Sequence, residues 1–223
     1  MRRRCRTPVG VLDFTLLRGL DADDRRTLLG ACTPRRFDRR EVVFHVGDPG
    51  DCLHLVVSGR FAARMPSADG DTVTLGLVGP GETFGELVLL DAGRRRSATV
   101  VALEPGTTLA LGSAQFGLLR RRHPQLDRVL NDLLAASVRR LTELVAEALY
   151  LPVDRRLGRR LVALADQYDG TIPLTQEDLA DLAGTTRATI NGVLRRFAGR
   201  GLLSLARGRI MVQDVEALAA LSR

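Results

Sequence analysis

Two different hydrophobic periods divide the chain near residue 113. Before that point, short apolar runs are separated by turns rich in Gly and Asp, as at 47–51. The runs lie at 42–44, 53–57, 61–65, 73–78, 98–103 and 108–111. Short strands at this spacing predict an antiparallel roll or barrel. A helix is expected in front of it over 21–31, with Asp21 placed to cap its first turn.

After residue 113 the period becomes that of a helix. One stripe recurs every three or four residues, and it consists of Leu126, Leu130, Leu133, Ser137, Leu141, Leu144, Ala148 and Leu151. The spacing predicts a helix of about seven turns. A stripe this long, close to a coiled-coil period, favours pairing with a second copy; a helix that packs only within its own chain is the alternative. Pro152 interrupts the pattern and marks a domain boundary.

Capping signals define two helices after Pro152. Asp154 is expected to cap a helix over 155–168, which ends at an Asp-Gly pair. Thr175 and Asp178 then have the spacing of a capping box, with apolar residues following them. We therefore expect a second, shorter helix that begins at Gln176.

A third helix and a hairpin complete this section. Gly184 breaks the second helix, and Thr185 or Thr186 caps the next one, which runs through Phe197. Two apolar runs around the turn at 207–209 predict a two-stranded wing. Helix, short turn with Gly, helix and wing is the order of a winged helix-turn-helix, which binds DNA.

The third helix is the expected recognition helix. Since Ile190 and Val193 must face inward, Arg187, Ala188 and Asn191 share its outward face. An arginine at this position can bind O6 and N7 of a guanine together, whereas threonine hydroxyls suit phosphates. The DNA-binding candidates are Thr175, Gln176, Thr186, Arg187, Ala188, Thr189, Asn191 and Arg195. A helical hairpin that merely packs is the alternative.

Composition and charge limit the setting without identifying it. The 223 residues suffice for one or two domains, and no apolar run approaches the length of a membrane span. No long apolar stretch follows the arginine-rich N-terminus, so a secretory signal is not expected and we assign the chain to the cytoplasm. The net charge of +7, carried by arginine alone, is compatible with nucleic acid but is weak evidence by itself.

The segment 85–98 carries the clearest candidate chemistry. Glu86 begins an apolar turn after a Gly-rich approach, and Arg96 and Ser97 precede a strand. A guanidinium can hold phosphate oxygens with two parallel hydrogen bonds, and a carboxylate can accept from a ribose hydroxyl. The pattern is typical of a site for a phosphate joined to a sugar. A buried Glu86–Arg96 ion pair in a roll that binds nothing is the alternative.

Metal and redox sites are poorly supported by the sequence. Three cysteines, at positions 5, 32 and 52, lie far apart without a paired motif, which argues against disulfides, zinc and iron–sulfur clusters. A cupin-like metalloenzyme would need a cluster of histidines, and the chain has only His45, His54 and His123. We therefore expect no enzyme activity and no metal.

The segments described above resemble the Crp–Fnr family of bacterial transcription regulators. The resemblance spans about residues 13–212 and is most specific at Phe84-Gly-Glu-Leu and Arg96-Ser-Ala-Thr-Val, which are similar to the family's phosphate-binding cassette. The section from Leu174 to Ile190 resembles its helix-turn-helix. The resemblance implies an α+β fold: an N-terminal cyclic-nucleotide-binding β-roll over 1–122, a dimerisation helix over 123–151 and a C-terminal winged helix-turn-helix over 152–223.

The resemblance also implies a role for each cassette residue. Glu86 would hold the ribose 2′-hydroxyl, and Arg96 and Ser97, with backbone groups of Gly85 and Leu87, would hold the cyclic phosphate. The effector would be cAMP or cGMP; another small effector, or none, is the alternative. Double-stranded DNA, a second copy of the chain and RNA polymerase would be the partners, and no membrane is implied.

Two segments depart from the family pattern. Where the cyclic-AMP receptor has a Thr-Ser pair that reads the purine, this chain has Leu141 and Thr142, so only one hydroxyl remains. In the recognition helix, only Arg187 of the family's Arg-Glu-x-x-x-Arg reader is present, since Ala188 and Gly192 replace the other two. An operator other than the usual one is therefore expected.

Overall fold

The computed structural model describes residues 14–18, 20–66, 72–90 and 95–222. The N-terminal arginines, the first cysteine, the turn at 68–71 and positions 91–94 of the cassette lie outside the described residues. The chain divides into two compact units, which are Met1–Met65 with Gly76–Arg139 and Pro66–Leu75 with Arg140–Arg223.

Eight strands of the first part of the chain form two four-stranded sheets. The strands are β1 (Thr33–Phe37), β2 (Val42–Phe44), β3 (Cys52–Ser58), β4 (Phe61–Pro66), β5 (Thr72–Val78), β6 (Thr83–Phe84), β7 (Thr99–Ala102) and β8 (Gly106–Gly112). One sheet has the order β1-β8-β3-β6 and the other β2-β7-β4-β5. Strands β1 and β8, β3 and β8, β3 and β6, β2 and β7, and β4 and β7 pair antiparallel. The predicted roll is confirmed.

Helices and short turns cover one face of this roll. They are a 3-10 turn at Thr15–Leu17, α1 (Ala22–Gly30), a 3-10 turn at Glu86–Leu89, α2 (Ser113–Arg122) and α3 (Gln125–Tyr150). The Asp21 carboxylate accepts hydrogen bonds from the backbone N–H groups of Asp23 and Asp24, as expected for a cap at this position.

Alternation along β3 gives the roll two hydrophobic clusters. Leu53 and Leu55 face the helices and belong to a cluster with Phe116 of α2 and with the start of α3. Val56 faces the other way, into the interior between the two sheets, where it packs with aromatic residues including Phe61 and Phe84. Because the side-chain period of a strand is two, β3 contributes to both clusters at once.

Helix α3 confirms the predicted long helix, and its apolar stripe has two parts. Leu126 and Leu130 are buried in the core of the roll. Of the later stripe positions, Leu141 is 41% exposed and Leu144 is half-buried, whereas Val145 and Leu149, which lie outside the predicted stripe, are 58% and 71% exposed in the single chain. Packing within the chain therefore covers the start of the stripe, and the exposed apolar row of the second half consists of Leu141, Val145 and Leu149.

The remaining elements form the predicted winged helix-turn-helix. They are α4 (Val153–Gln167), β9 (Thr171–Ile172), α5 (Gln176–Ala183), α6 (Arg187–Gly199), β10 (Leu203–Ala206), β11 (Arg209–Val212) and α7 (Val215–Leu221). The expected cap at Asp154 is wrong. Helix α4 begins at Val153 with Pro152 as its N-cap, because proline already has a suitable φ, and Asp154 lies in the first turn.

Candidate functional site

The cassette begins at a glycine whose backbone conformation other residues rarely adopt. Gly85 has φ 78° and precedes the 3-10 turn Glu86–Leu89. A Cβ atom at Gly85 would lie 2.6 Å from Nη1 of Arg96. Glycine is therefore required here both for the left-handed turn and for the close approach of the guanidinium.

Arg96 is held in a nearly closed environment by the roll. It is 5% exposed, its Nη1 donates to the Cys52 carbonyl oxygen at 2.7 Å, and its guanidinium lies 4.0 Å from the centre of the Phe44 ring. Nη2 lies 3.6 Å from both the Cys52 Sγ and the Asp51 Oδ1. Nε is buried and has no hydrogen-bond partner among the described residues. The edge formed by Nε and Nη2 is thus the less satisfied side of the guanidinium.

The predicted cassette residues of the first unit lie in the 3-10 turn and in the segment that carries this guanidinium. Gly85 touches Arg96, Glu86 and Leu87 are half-buried at the start of the 3-10 turn, and Ser97 is exposed next to Arg96. No ion pair joins Glu86 to Arg96 within the described part of the chain, where the carboxylate that pairs with Arg96 is Asp51. The alternative of a structural Glu86–Arg96 pair is therefore not supported.

The two predicted base contacts lie on α3 in the second compact unit. Leu141 is 41% exposed, and Thr142 is also exposed. Both belong to Arg140–Arg223, whereas the cassette belongs to the first unit. Their role toward an effector stays a prediction.

Backbone hydrogen bonds fix the cassette against the turn that precedes β3. Arg96 N donates to the Asp48 carbonyl at 2.9 Å, and Gly47 N donates to the Arg96 carbonyl at 2.8 Å. Nη1 of Arg95 donates to the Gly47 carbonyl at 2.8 Å. The turn at 47–51 thus positions the arginine, although it lies more than 40 residues away in sequence.

Sequence reasoning missed Asp51 and Cys52 as members of this site. The turn was identified by its Gly and Asp residues, but nothing in the local pattern indicates which distant segment it contacts. These two residues could have been found only from the strand pairing of the family fold, which places the turn at 47–51 beside the cassette. Burial, followed by the Asp51 carboxylate, raises the pKa of the Cys52 thiol, so this cysteine is poorly suited to act as a thiolate.

A buried histidine lies behind the arginine in the interior of the roll. The His54 ring stacks on Phe84 with centroids 4.9 Å apart, and its Nδ1 forms a hydrogen bond with the Thr108 hydroxyl at 2.9 Å. Burial first, and the charge of Arg96 second, lower the pKa of His54 to about 4. His54 is therefore neutral at physiological pH and serves as an aromatic member of the core.

The helix-turn-helix has the predicted caps. Thr175 Oγ1 accepts from Asp178 N at 3.1 Å, and Asp178 Oδ2 accepts from Thr175 N at 3.0 Å, which completes the capping box. Gly184 ends α5 with φ 60°, and Thr186 caps α6 by accepting from Thr189 N at 3.3 Å. Local hydrogen bonds thus define both ends of the turn between the two helices.

Helix α6 separates cleanly into a buried and an exposed face. Its buried residues are Ile190, Val193, Leu194 and Phe197. Arg187, Ala188 and Arg195 are exposed, and Asn191 between them is half-buried. Among the described residues, no carboxylate lies within ion-pair distance of Arg187 or Arg195. Both guanidinium groups are therefore available for a ligand outside the chain.

One arginine that the sequence did not single out connects α3 with the turn before α6. Nη1 of Arg156 donates to the carbonyls of Ala148 at 3.1 Å and Leu151 at 3.3 Å. Its Nε donates to Ala183 at 3.1 Å, and its Nη2 donates to Gly184 at 3.4 Å. Arg156 thus binds the C-terminal carbonyls of α3 and of α5 with one side chain.

The described residues offer neither a metal cluster nor a membrane-spanning helix. No group of three or more His, Cys, Asp or Glu residues in the described ranges could hold a metal ion. None of the helices described is long and apolar enough to cross a bilayer.

Two family descriptions match the two halves of the chain. Residues 34–123 match the cyclic nucleotide-binding domain, and residues 155–221 match the Crp-like helix-turn-helix domain. The first match contains the cassette, and the second contains the capping box and α6.

Similar proteins cover nearly the whole chain. The CRP-like cAMP-activated global transcriptional regulator of Mycobacterium tuberculosis is 30% identical, with 93% of this chain and 96% of that protein aligned. The cyclic AMP receptor protein of Thermus thermophilus is 36% identical, with 91% of this chain and 94% of that protein aligned. Among solved structures, the c-di-GMP responsive regulator CLP of Xanthomonas campestris has a TM-score of 0.77 at 22% identity, covering 86% of this chain and 99% of that one. The latter likeness concerns the fold alone.

Proposed function

The chain belongs to the Crp–Fnr family of DNA-binding transcription regulators, and we propose that a cyclic nucleotide bound by its roll controls how it binds operator DNA. The family and both domain matches are those of regulators and not of enzymes. The single observation that carries the effector proposal is Arg96, a nearly fully buried guanidinium whose Nη1 lies against Gly85 and whose Nε has no hydrogen-bond partner among the described residues.

Each cassette residue has a role in this proposal. The Nε and Nη2 edge of Arg96 takes two oxygens of the cyclic phosphate, assisted by the Ser97 hydroxyl and by the backbone N–H groups of Gly85 and Leu87. Glu86, which forms no ion pair with a described residue, accepts from the ribose 2′-hydroxyl. Leu141 and Thr142 face the base, and Thr142 supplies the one side-chain hydroxyl of this pair.

The identity of the effector is tested by calorimetry with cAMP, cGMP and cyclic di-GMP. We expect cAMP to bind, because the named relatives of this chain from two genera are cAMP-activated or cAMP receptors. cGMP, which has the same ribose and cyclic phosphate, is the second candidate, and cyclic di-GMP tests whether the site accepts a larger cyclic dinucleotide. Absence of heat with all three ligands, for protein shown to be folded by thermal unfolding, would refute the effector proposal.

The exposed face of α6 is the proposed DNA-reading surface. Arg187 binds O6 and N7 of a guanine, and Ala188 and Asn191 lie beside it on the same face. Phosphate contacts come from polar residues around the two helix starts and along the helix, which are Thr175, Gln176, Thr186, Thr189 and Arg195. A selected-sequence binding assay tests this surface, and selection of the same sequences by an Arg187→Ala variant would contradict it.

A second copy of the chain is the proposed partner of α3. Leu141, Val145 and Leu149 form an uncovered apolar row, with spacings of four residues that suit helix pairing. In such a dimer the two α6 helices would reach successive major grooves about 34 Å apart. Sedimentation of the wild-type protein tests this: a monomer at micromolar concentration would refute it. We also propose the three-part organisation 1–122, 123–151 and 152–223, a cytoplasmic location and RNA polymerase as a further partner.

The effector acts by favouring the DNA-competent state of this dimer. Its influence on DNA binding cannot exceed its differential affinity for the two states, and a coupling of about 1–3 kcal/mol is typical. DNA affinity measured with and without cAMP gives this coupling directly. Equal affinities under the two conditions, with cAMP bound, would show that the roll does not control DNA binding.

A further inference from the structure

The candidate anion site carries a carboxylate for which the proposed function gives no role. Asp51 lies at the end of the turn before β3, with its side chain 88% exposed, and its Oδ1 is 3.6 Å from Nη2 of Arg96. This is the one ion pair that Arg96 forms within the described residues. The carboxylate also contributes to the raised pKa of Cys52, whose carbonyl holds the other terminal nitrogen of Arg96.

The positive charge of Arg96 is partly offset by the Asp51 carboxylate. Among the described residues, Asp51 is the carboxylate that pairs with the buried guanidinium. Arg95, its neighbour in sequence, is exposed and donates to the Gly47 carbonyl. A phosphate bound at Nη2 of Arg96 would lie close to Asp51, and each additional negative charge on the ligand is repelled by that carboxylate.

The phosphate esters available to such a site differ in charge. A cyclic phosphodiester carries a single negative charge at neutral pH, whereas a phosphomonoester carries about −1.5 to −2 because its second pKa is near 6. Hydrolysis of the cyclic ester of cAMP gives 5′-AMP, which keeps the same base and ribose. Discrimination between the two ligands must therefore be made at the phosphate.

We propose that Asp51 makes the site selective for a monoanionic cyclic phosphodiester over the dianionic phosphomonoester that forms from it. The proposal rests on the proposed effector function. The Asp51 carboxylate pairs with Nη2 of Arg96, so any phosphate must compete with it. A dianion suffers the repulsion of Asp51 twice, once for each charge, and a monoanion only once.

The size of the effect follows from the exposure of Asp51. One unit of charge about 4 Å from an exposed carboxylate is disfavoured about fivefold in a water-like medium, and less in high salt. Asp51→Asn removes this repulsion while keeping the size of the side chain. We expect the variant to bind both ligands more tightly, and the ratio of the 5′-AMP to the cAMP dissociation constant to fall about fivefold.

Calorimetry of wild type and Asp51→Asn with cAMP and with 5′-AMP tests the proposal. The titrations are made at low salt and at about 0.15 M salt, where the Debye length is near 8 Å. Asp38→Asn is the matched control, because Asp38 is an exposed carboxylate of the same unit in the turn between β1 and β2. It should leave the ratio unchanged. Thermal unfolding without ligand confirms that each variant is folded.

Three results would overturn the proposal. An unchanged ratio in Asp51→Asn, with cAMP still bound, would show that Asp51 does not discriminate by charge. Weaker binding of cAMP by this variant would show that Asp51 contacts the ligand as an acceptor. A wild-type protein that binds neither ligand would refute the proposed effector itself, which the cAMP titration distinguishes from a failure confined to Asp51.

Discussion

Replacing Arg96 should remove nearly all affinity for a cyclic nucleotide. The Cys52 carbonyl and the Phe44 ring hold one side of the guanidinium, which leaves the Nε and Nη2 edge for the phosphate. Arg96→Leu eliminates both donors and the charge. Arg96→Lys keeps the charge but loses the planar fork, so it separates attraction by charge from bidentate geometry.

The magnitude follows from the number of donors. Each hydrogen bond to a charged group contributes about 1.5–3 kcal/mol, and competition from Asp51 offsets part of the sum for two such bonds. We therefore expect Arg96→Leu to lose about 3 kcal/mol, which weakens binding about 150-fold at 1.36 kcal/mol per factor of ten. The affinity of Arg96→Lys should lie between those of wild type and Arg96→Leu, about tenfold weaker than wild type.

Thermal unfolding with and without cAMP provides the assay, with calorimetry for the dissociation constants. At a ligand concentration of 100 times the wild-type dissociation constant, the ligand stabilises wild type by about 2.7 kcal/mol. The same concentration stabilises a variant weakened 150-fold by only about 0.3 kcal/mol. Arg95→Leu is the matched control, since it removes the same charge from the neighbouring, exposed position. If Arg96→Leu is folded and binds within threefold of wild type, the phosphate role is wrong.

Three further predictions concern other contacts. The pKa of His54 is lowered to about 4 in the folded protein, whereas an unfolded histidine has a pKa of about 6.5. As the pH falls below 6.5, the unfolded state therefore binds the proton first. The free energy of unfolding should decrease by about 2 kcal/mol between pH 6.5 and 5. His54→Phe should remove this dependence in urea unfolding, whereas replacement of the exposed His45 should not. Arg187→Ala should cost about 1–3 kcal/mol of specific DNA binding and relax one base position, whereas Arg195→Ala should weaken all sequences alike. Arg156→Gln should reduce the factor by which cAMP raises DNA affinity, because it removes the contacts that join the end of α3 to the turn before α6. The cAMP dissociation constant should be unchanged. An unaltered factor would show that Arg156 does not position the helix-turn-helix.

Local signals in the sequence were sufficient for α1, α3, α4, α5 and α6 and for most strands, whereas α2 and α7 were not predicted. The caps at Asp21, Thr175 and Thr186 depend on residues two or three positions away, so they can be recognised without knowing the fold. Strand β1 was not predicted, because its sequence Thr-Pro-Arg-Arg-Phe is mostly exposed and has no apolar alternation. Its identity as a strand comes from pairing with β8, about 70 residues later, which no local pattern indicates.

The same distinction applies to the candidate site. Glu86, Arg96 and Ser97 could be proposed from their order along one short segment. Asp51 became visible only through the fold, because its contact with Arg96 joins segments 45 residues apart. Arg156 was likewise hidden, since a helix-start arginine gives no sign that it binds carbonyls of two other helices. Residues that supply chemistry were thus more predictable than residues that position or tune it.

The environment of Arg96 indicates how a small, polar site can bind its ligand with useful affinity. Immobilising a long side chain on binding costs about 0.5–1.5 kcal/mol, and here the Cys52 carbonyl and the Phe44 ring fix the guanidinium when the roll folds. The ligand then meets an arginine that is already oriented and already desolvated. A buried Nε without a hydrogen-bond partner is unfavourable, so binding an anion at this atom removes an existing penalty in addition to forming a new contact. Affinity in this site therefore depends on the rigidity of β3 and its preceding turn as much as on the number of hydrogen bonds to the phosphate.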